Sequence, residues 1–130
     1  MTALWIFLGG GLGSLARWWC SGFFAQRFGE GFPLGTLVVN VAGSFVIGFV
    51  ATLTGPDGRW LAPASARQFI MVGLCGGYTT FSAFSLQTLN LAREGEWLYA
   101  GLNTVFSFSL CMAAVWLGHT AALALNSPRG

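Results

Sequence analysis

All four acidic residues of this 130-residue chain, Glu30, Asp57, Glu94 and Glu96, stand in short polar segments, and none enters the apolar stretches beside them. A hydrocarbon layer of about 30 Å is crossed at about 1.5 Å of helix per residue, so a span needs about 20 mostly apolar residues. The stretches at 2–25, 34–54, 68–91 and 97–125 all qualify. Between them, Gln26–Pro33 holds Arg27 and Glu30, Gly55–Arg67 holds two prolines, Asp57 and Arg59, and Ala92–Glu96 holds Arg93 and two glutamates. Glycine, proline and charge in these places are turn chemistry. Only 8% of residues are charged, and lysine is absent; a soluble domain carries about 25%. Six arginines and four acids cannot coat a water-facing surface. The pattern predicts an all-α membrane protein, a single domain over 1–130 with four transmembrane helices.

A net charge of +2 without a basic run gives no footprint for nucleic acid. Cys20, Cys75 and Cys111 lie in apolar stretches and form no Cys-x-x-Cys pair, so small buried packing residues are expected. No positive region precedes the first stretch as in a signal peptide, and that stretch is expected to stay as a helix. With four spans, Arg59, Arg67 and Arg129 fall on one side, and Arg17, Arg27 and Arg93 on the other. Such balance gives the positive-inside rule nothing to act on. Copies inserted in opposite orientations could then pair.

The spans hold no carboxylate of the kind proton-coupled transporters use, and His119 is the single histidine. Their polar groups instead form stripes. Thr36, Asn40 and Ser44 recur at spacing four, as do Asn103, Ser107 and Cys111, placing each set on one helical face. Any one hydroxyl reads first as interhelical glue. Asn40 reads either way, as glue or as a permeation site, because its amide brings two donors and an acceptor into hydrocarbon. Arg17 reads as snorkelling beside Trp18 and Trp19, as fixing helix ends, or as drawing anions to a vestibule. Gly9-x-x-x-Gly13 and Gly73-x-x-x-Gly77 are close-approach spacings. The first lacks the strand and the Lys-Ser/Thr pair of a nucleotide loop. No nucleophile–base pair or metal cluster suggests an enzyme.

The third stretch carries Gly76-Gly77-Tyr78-Thr79-Thr80-Phe81-Ser82 near its middle. Two glycines weaken a helix by about 1 kcal/mol each, and threonines can bond their own backbone. A break is expected there. At that depth it persists only within protein or beside a wet cavity, where freed carbonyls can bind a hard cation. The competing reading is a glycine-kinked packing helix. Beyond the break, Phe81 and Phe84 share a face, and phenylalanine edges carry positive charge that suits an anion.

These residues resemble the CrcB/Fluc fluoride channels along nearly the whole chain. The resemblance rests on Gly10-Gly11-Leu12-Gly13-Ser14-Leu15-Ala16-Arg17, on Pro33 to Ser44 with Asn40 inside, and above all on Gly73 to Phe84. It implies an antiparallel dual-topology homodimer with two fluoride pores, multi-pass in the cell inner (plasma) membrane and in contact with its lipid. It further implies that Asn40 donates to fluoride and that Phe81 and Phe84 line the pore. Thr80, Ser82 and Ser107 would add a polar track, and backbone carbonyls of Gly76 and Thr79 would hold a central sodium ion. The implied activity is passive fluoride export that protects the cytoplasm. The family often has threonine, glutamate and tyrosine where this chain has Ala83, Gln87 and Asn103.

Two other readings fit a four-helix membrane protein. A small dual-topology drug exporter would need a carboxylate in the first helix, and none is present. A non-transporting assembly protein would use its polar stripes only as glue.

Overall fold

The structure is a computed structural model that describes residues 1–126. Arg129, counted in the charge balance, lies outside them. The described residues form helices α1 (Thr2–Phe28), α2 (Leu34–Leu53), α3 (64–78), α4 (Phe81–Arg93) and α5 (Trp97–Asn126), with no strand among them. Helix α3 is composite, with an α-helical start at Ala64–Gln68, a wide π-helical stretch at Phe69–Cys75 and a last α turn at Gly76–Tyr78. The turns are set by the expected residues. Gly29 ends α1 at φ 80°, Gly95 separates α4 from α5 at φ 81°, and Pro33 caps α2. Both glycines occupy the left-handed region that a Cβ disfavours.

Three segments, Leu34–Leu53, Ala64–Arg93 and Trp97–Asn126, are long and apolar enough to cross a membrane. Helix α1, with 27 residues, has the length. Its four clustered glycines, Ser14, Arg17 and Ser21 dilute its hydropathy, so on composition it stands apart from the other expected spans. Large apolar side chains such as Phe7, Leu15, Trp18, Trp97, Phe108 and Trp116 point outward. A water-soluble protein could not tolerate so much exposed apolar surface.

The helices meet through residues without bulk. Helices α2 and α5 form the most extensive pair. There Gly48 lies under the Val115 carbonyl and Gly118 under the Phe45 carbonyl, each so close that a Cβ would collide with backbone. Helix α1 packs on α3 in the same way. The two small-residue motifs read from sequence face one another: a Cβ on Gly9 would come 2.6 Å from the Phe69 carbonyl oxygen, and one on Gly73 would come 2.9 Å from the Gly9 Cα. Close backbone approach of this kind drives association where lipid and side chain are equally apolar.

That packing corrects the expected extent of the break. Gly76 and Gly77 do not unwind; Gly76 has φ −64° and ψ −37°, and Gly77 is held against Gly10 of α1. Only Thr79 (φ −82°, ψ 156°) and Thr80 (φ −153°, ψ 108°) are extended. The glycine pair serves contact, and the two β-branched residues carry the interruption. Thr79 fits over Gly43 of α2, whose hydrogen leaves room for the threonine methyl.

Candidate functional site

The break is closed by a side chain from another helix. Asn40 Oδ1 accepts a hydrogen bond from the Thr80 backbone N–H at 2.7 Å, and Asn40 Nδ2 donates to the Thr80 carbonyl at 3.1 Å. One amide thus bonds both polar groups of one peptide-chain residue, as a neighbouring strand would. Thr80 in turn caps α4, its Oγ1 accepting from Ala83 N at 3.1 Å. An N-cap of this kind contributes about 1 kcal/mol. On the other side of the break, Thr79 N and Thr79 Oγ1 both donate to the Cys75 carbonyl at 2.9 Å. Arg17 Nε donates to the Gly77 carbonyl at 3.1 Å. Its positive charge therefore sits at the C-terminal end of α3, where the helix dipole favours it.

Of the readings offered by Arg17, helix-end fixation is the one its hydrogen bond expresses. Replacing Arg17 with alanine strands a carbonyl bonded by a charged donor, an interaction of about 1.5–3 kcal/mol. Thermal unfolding in detergent should register a loss of that size, with Arg17→Lys recovering part of it.

The interruption leaves acceptors without donors. The Thr80 N–H that would return to Gly76 is taken by Asn40, and the Ala83 N–H that would return to Thr79 is taken by Thr80 Oγ1. Among the described residues, the carbonyls of Gly76 and Thr79 accept no hydrogen bond. Gly76 is also exposed on the surface of the chain. Neutral carbonyl oxygens are hard donors, and without a carboxylate nearby they fit a monovalent cation better than a divalent one.

A cavity of about 510 Å³ opens beside the break. It gathers most of the residues singled out from sequence: Asn40, Gly76, Thr79, Thr80, Phe81, Phe84 and Ser107. Phe81 and Phe84 do share a face, with ring centroids 5.4 Å apart and planes tilted by 48°. Ser82 is not part of this lining; its Oγ lies 3.2 Å from Thr80 Oγ1. A second cavity, of about 560 Å³, is bordered by Arg17, Thr36, Ala83, Gln87 and Glu94, and again by Thr80. Arg17 therefore fixes a helix end and borders a vestibule at once.

Two residues matter here that sequence reasoning did not place in the site. Asn103 is 1% exposed. Its Oδ1 accepts from Ser107 Oγ at 3.3 Å, its Nδ2 donates to Thr88 Oγ1 at 2.9 Å, and Thr88 Oγ1 donates to the Phe84 carbonyl at 2.8 Å. The relay ties α5 to the first turns of α4 and fixes Ser107 at the cavity wall. The signal was the spacing of four between Asn103 and Ser107; what sequence lacked was the partner, Thr88. Gln87, by contrast, has a buried Oε1 without a hydrogen-bond partner among the described residues.

The chain matches the family model described as CrcB-like protein, Camphor Resistance (CrcB), over residues 4–119. It is 62% identical over 127 residues to the fluoride-specific ion channel FluC of Opitutus terrae, covering 98% of this chain and 96% of that one. It is 55% identical over 130 residues to the protein of the same name from Methylocella silvestris, covering 100% and 99%. With the Rhodospirillum rubrum protein, also named a fluoride-specific ion channel, identity is 58% over 126 residues, covering 97% and 98%.

Proposed function

Because this chain belongs to the CrcB family, we propose that it is a fluoride-selective channel that lets fluoride leave the cell passively and so relieves its toxicity. The carrying observation is the cavity at the break, where Asn40, Thr80 and Ser107 present polar groups beside the rings of Phe81 and Phe84. Donors at spaced points along an otherwise apolar wall replace part of an anion's hydration without trapping it. The curated relatives, similar over essentially the whole chain, carry fluoride in their names.

In this reading two copies pair in antiparallel orientation in the plasma membrane, and α1 joins the other three segments in spanning it. The balanced arginines fit insertion in both senses. Phe81 is 78% exposed on the single chain and Phe108 70%, on the face that opens the cavity; a second copy would close that face. The exposed Gly76 carbonyl and the Thr79 carbonyl, doubled by two-fold symmetry, would hold a central sodium ion. Ser82, outside the lining of the single chain, would join the track through its contact with Thr80.

Proteoliposomes loaded with fluoride test the reading. The protein should empty them without a proton gradient, and no flux above that of protein-free vesicles from a well-folded dimer would remove it. The cation site has its own test. Replacing sodium by N-methylglucamine should lower the melting temperature of the purified dimer, since a ligand at about 100 times its Kd adds about 2.7 kcal/mol. A melting temperature that ignores sodium would dismiss the ion.

A further inference from the structure

Among the described residues, Thr80 alone borders both large cavities, the one beside the phenylalanines and the one beside Arg17. An ion moving from one to the other passes this residue. The hydrogen bonds there divide unevenly between donors and acceptors. Asn40 Oδ1 is occupied by the Thr80 N–H, the Thr80 carbonyl by Asn40 Nδ2, and Thr80 Oγ1 by the Ala83 N–H. When Ser82 donates across its 3.2 Å contact, both lone pairs of Thr80 Oγ1 are filled. Every acceptor at this point is thus committed. What remains is a second Asn40 N–H and the Thr80 hydroxyl proton.

We propose that Asn40 and Thr80 form a donor-only neck between the two cavities, in which the Thr80 hydroxyl is a specificity-determining group that hands the anion across. The proposal rests on the channel reading above and adds a residue role to it. A neck of this composition needs no fixed positive charge to reject cations. A cation arriving there meets only the positive ends of N–H and O–H bonds, because the oxygens that could solvate it are already bonded. Asn40 is the positioning half of the pair, since its two bonds to the Thr80 backbone hold the extended geometry that presents the hydroxyl. It also keeps the Thr80 carbonyl from facing the path.

The experiment compares fluoride efflux from liposomes for Thr80→Ser, Thr80→Val and Thr80→Asp, each checked for dimer recovery by size exclusion. Serine keeps the proton and the α4 cap, and should stay within about threefold of the parent. Valine keeps the shape and loses the proton. It should slow efflux at least about tenfold, which corresponds to roughly 1.4 kcal/mol. Aspartate keeps the cap acceptor, since Asp caps at least as well as Thr, but replaces the donor by an acceptor. It should slow efflux at least as much as valine from a folded dimer, and so covers the case in which valine fails to fold. Equal losses in Thr80→Ser and Thr80→Val would overturn the role of the hydroxyl, as would parental rates in Thr80→Val or Thr80→Asp. A parent protein that moves no fluoride at all would instead overturn the channel reading beneath it.

Discussion

Replacing Asn40 with alanine should cut fluoride efflux at least a hundredfold, roughly 2.7 kcal/mol, while the protein is still recovered as a dimer. Two losses combine. The Thr80 N–H and carbonyl lose their shared partner, and an unsatisfied polar group away from water costs about 1–3 kcal/mol. The two threonines then have a reason to leave the extended conformation, which would withdraw the hydroxyl from between the cavities. The passing anion also loses the spare amide proton, and a hydrogen bond to a charged group is worth about 1.5–3 kcal/mol. Asn40→Asp should not rescue, because a carboxylate can still accept from the Thr80 N–H but has nothing to give either the Thr80 carbonyl or the anion. Parental efflux from an Asn40→Ala dimer would show that the break holds itself and that permeation avoids it.

The second large effect is on assembly rather than on flux. Gly118→Val should destabilise the fold by about 3 kcal/mol or more, at the upper end of overpacking costs. Its first side-chain carbon collides with the Phe45 carbonyl, and the Phe49 nitrogen follows at 2.9 Å. Both neighbours are backbone of α2, so no rotamer change can make room, and the most extensive helix pair in the molecule must separate. Gly101, on the same α5, supplies the control: nothing lies within 4 Å of a Cβ built there. Gly101→Ala should leave stability unchanged or raise it by up to about 1 kcal/mol, the helix-propensity difference. Thermal unfolding of both variants in one detergent decides the matter, and comparable melting temperatures would contradict the packing argument.

Much of this was legible in the chain because membrane solvent writes long, plain signals. Helix bounds at Leu34 and Trp97 fall where the apolar stretches begin, since Pro33 and the charged turn ending at Glu96 leave little alternative. The facing glycine motifs of α1 and α3 were readable by spacing, though the fact that they meet one another was not. The break was legible as a region and misread in detail. Helix propensity assigns the fault to Gly76 and Gly77, but a glycine pressed against Gly10 gains more from proximity than it loses in chain freedom. The threonines yield instead, because Asn40, forty residues away, offers their backbone an alternative partner. No local rule can see that partner. The Thr88–Asn103–Ser107 relay was hidden for the same reason: its hydrogen bonds join residues fifteen positions apart on different helices.

The π-helical stretch at Phe69–Cys75 has a consequence for what this chain can lose. A π turn closes its hydrogen bonds one residue later than an α turn, so it stores one residue more than the straight path would require. Deleting a single residue within it would let α3 rewind to ordinary pitch and turn everything downstream by about 100°. Gly77 would swing off α1, and Thr79 and Thr80 would swing away from Asn40. Every amino acid of the site would survive the deletion and the site would not. The stretch is a phase setting, and a length change of one there is a heavier lesion than most substitutions in the pore itself.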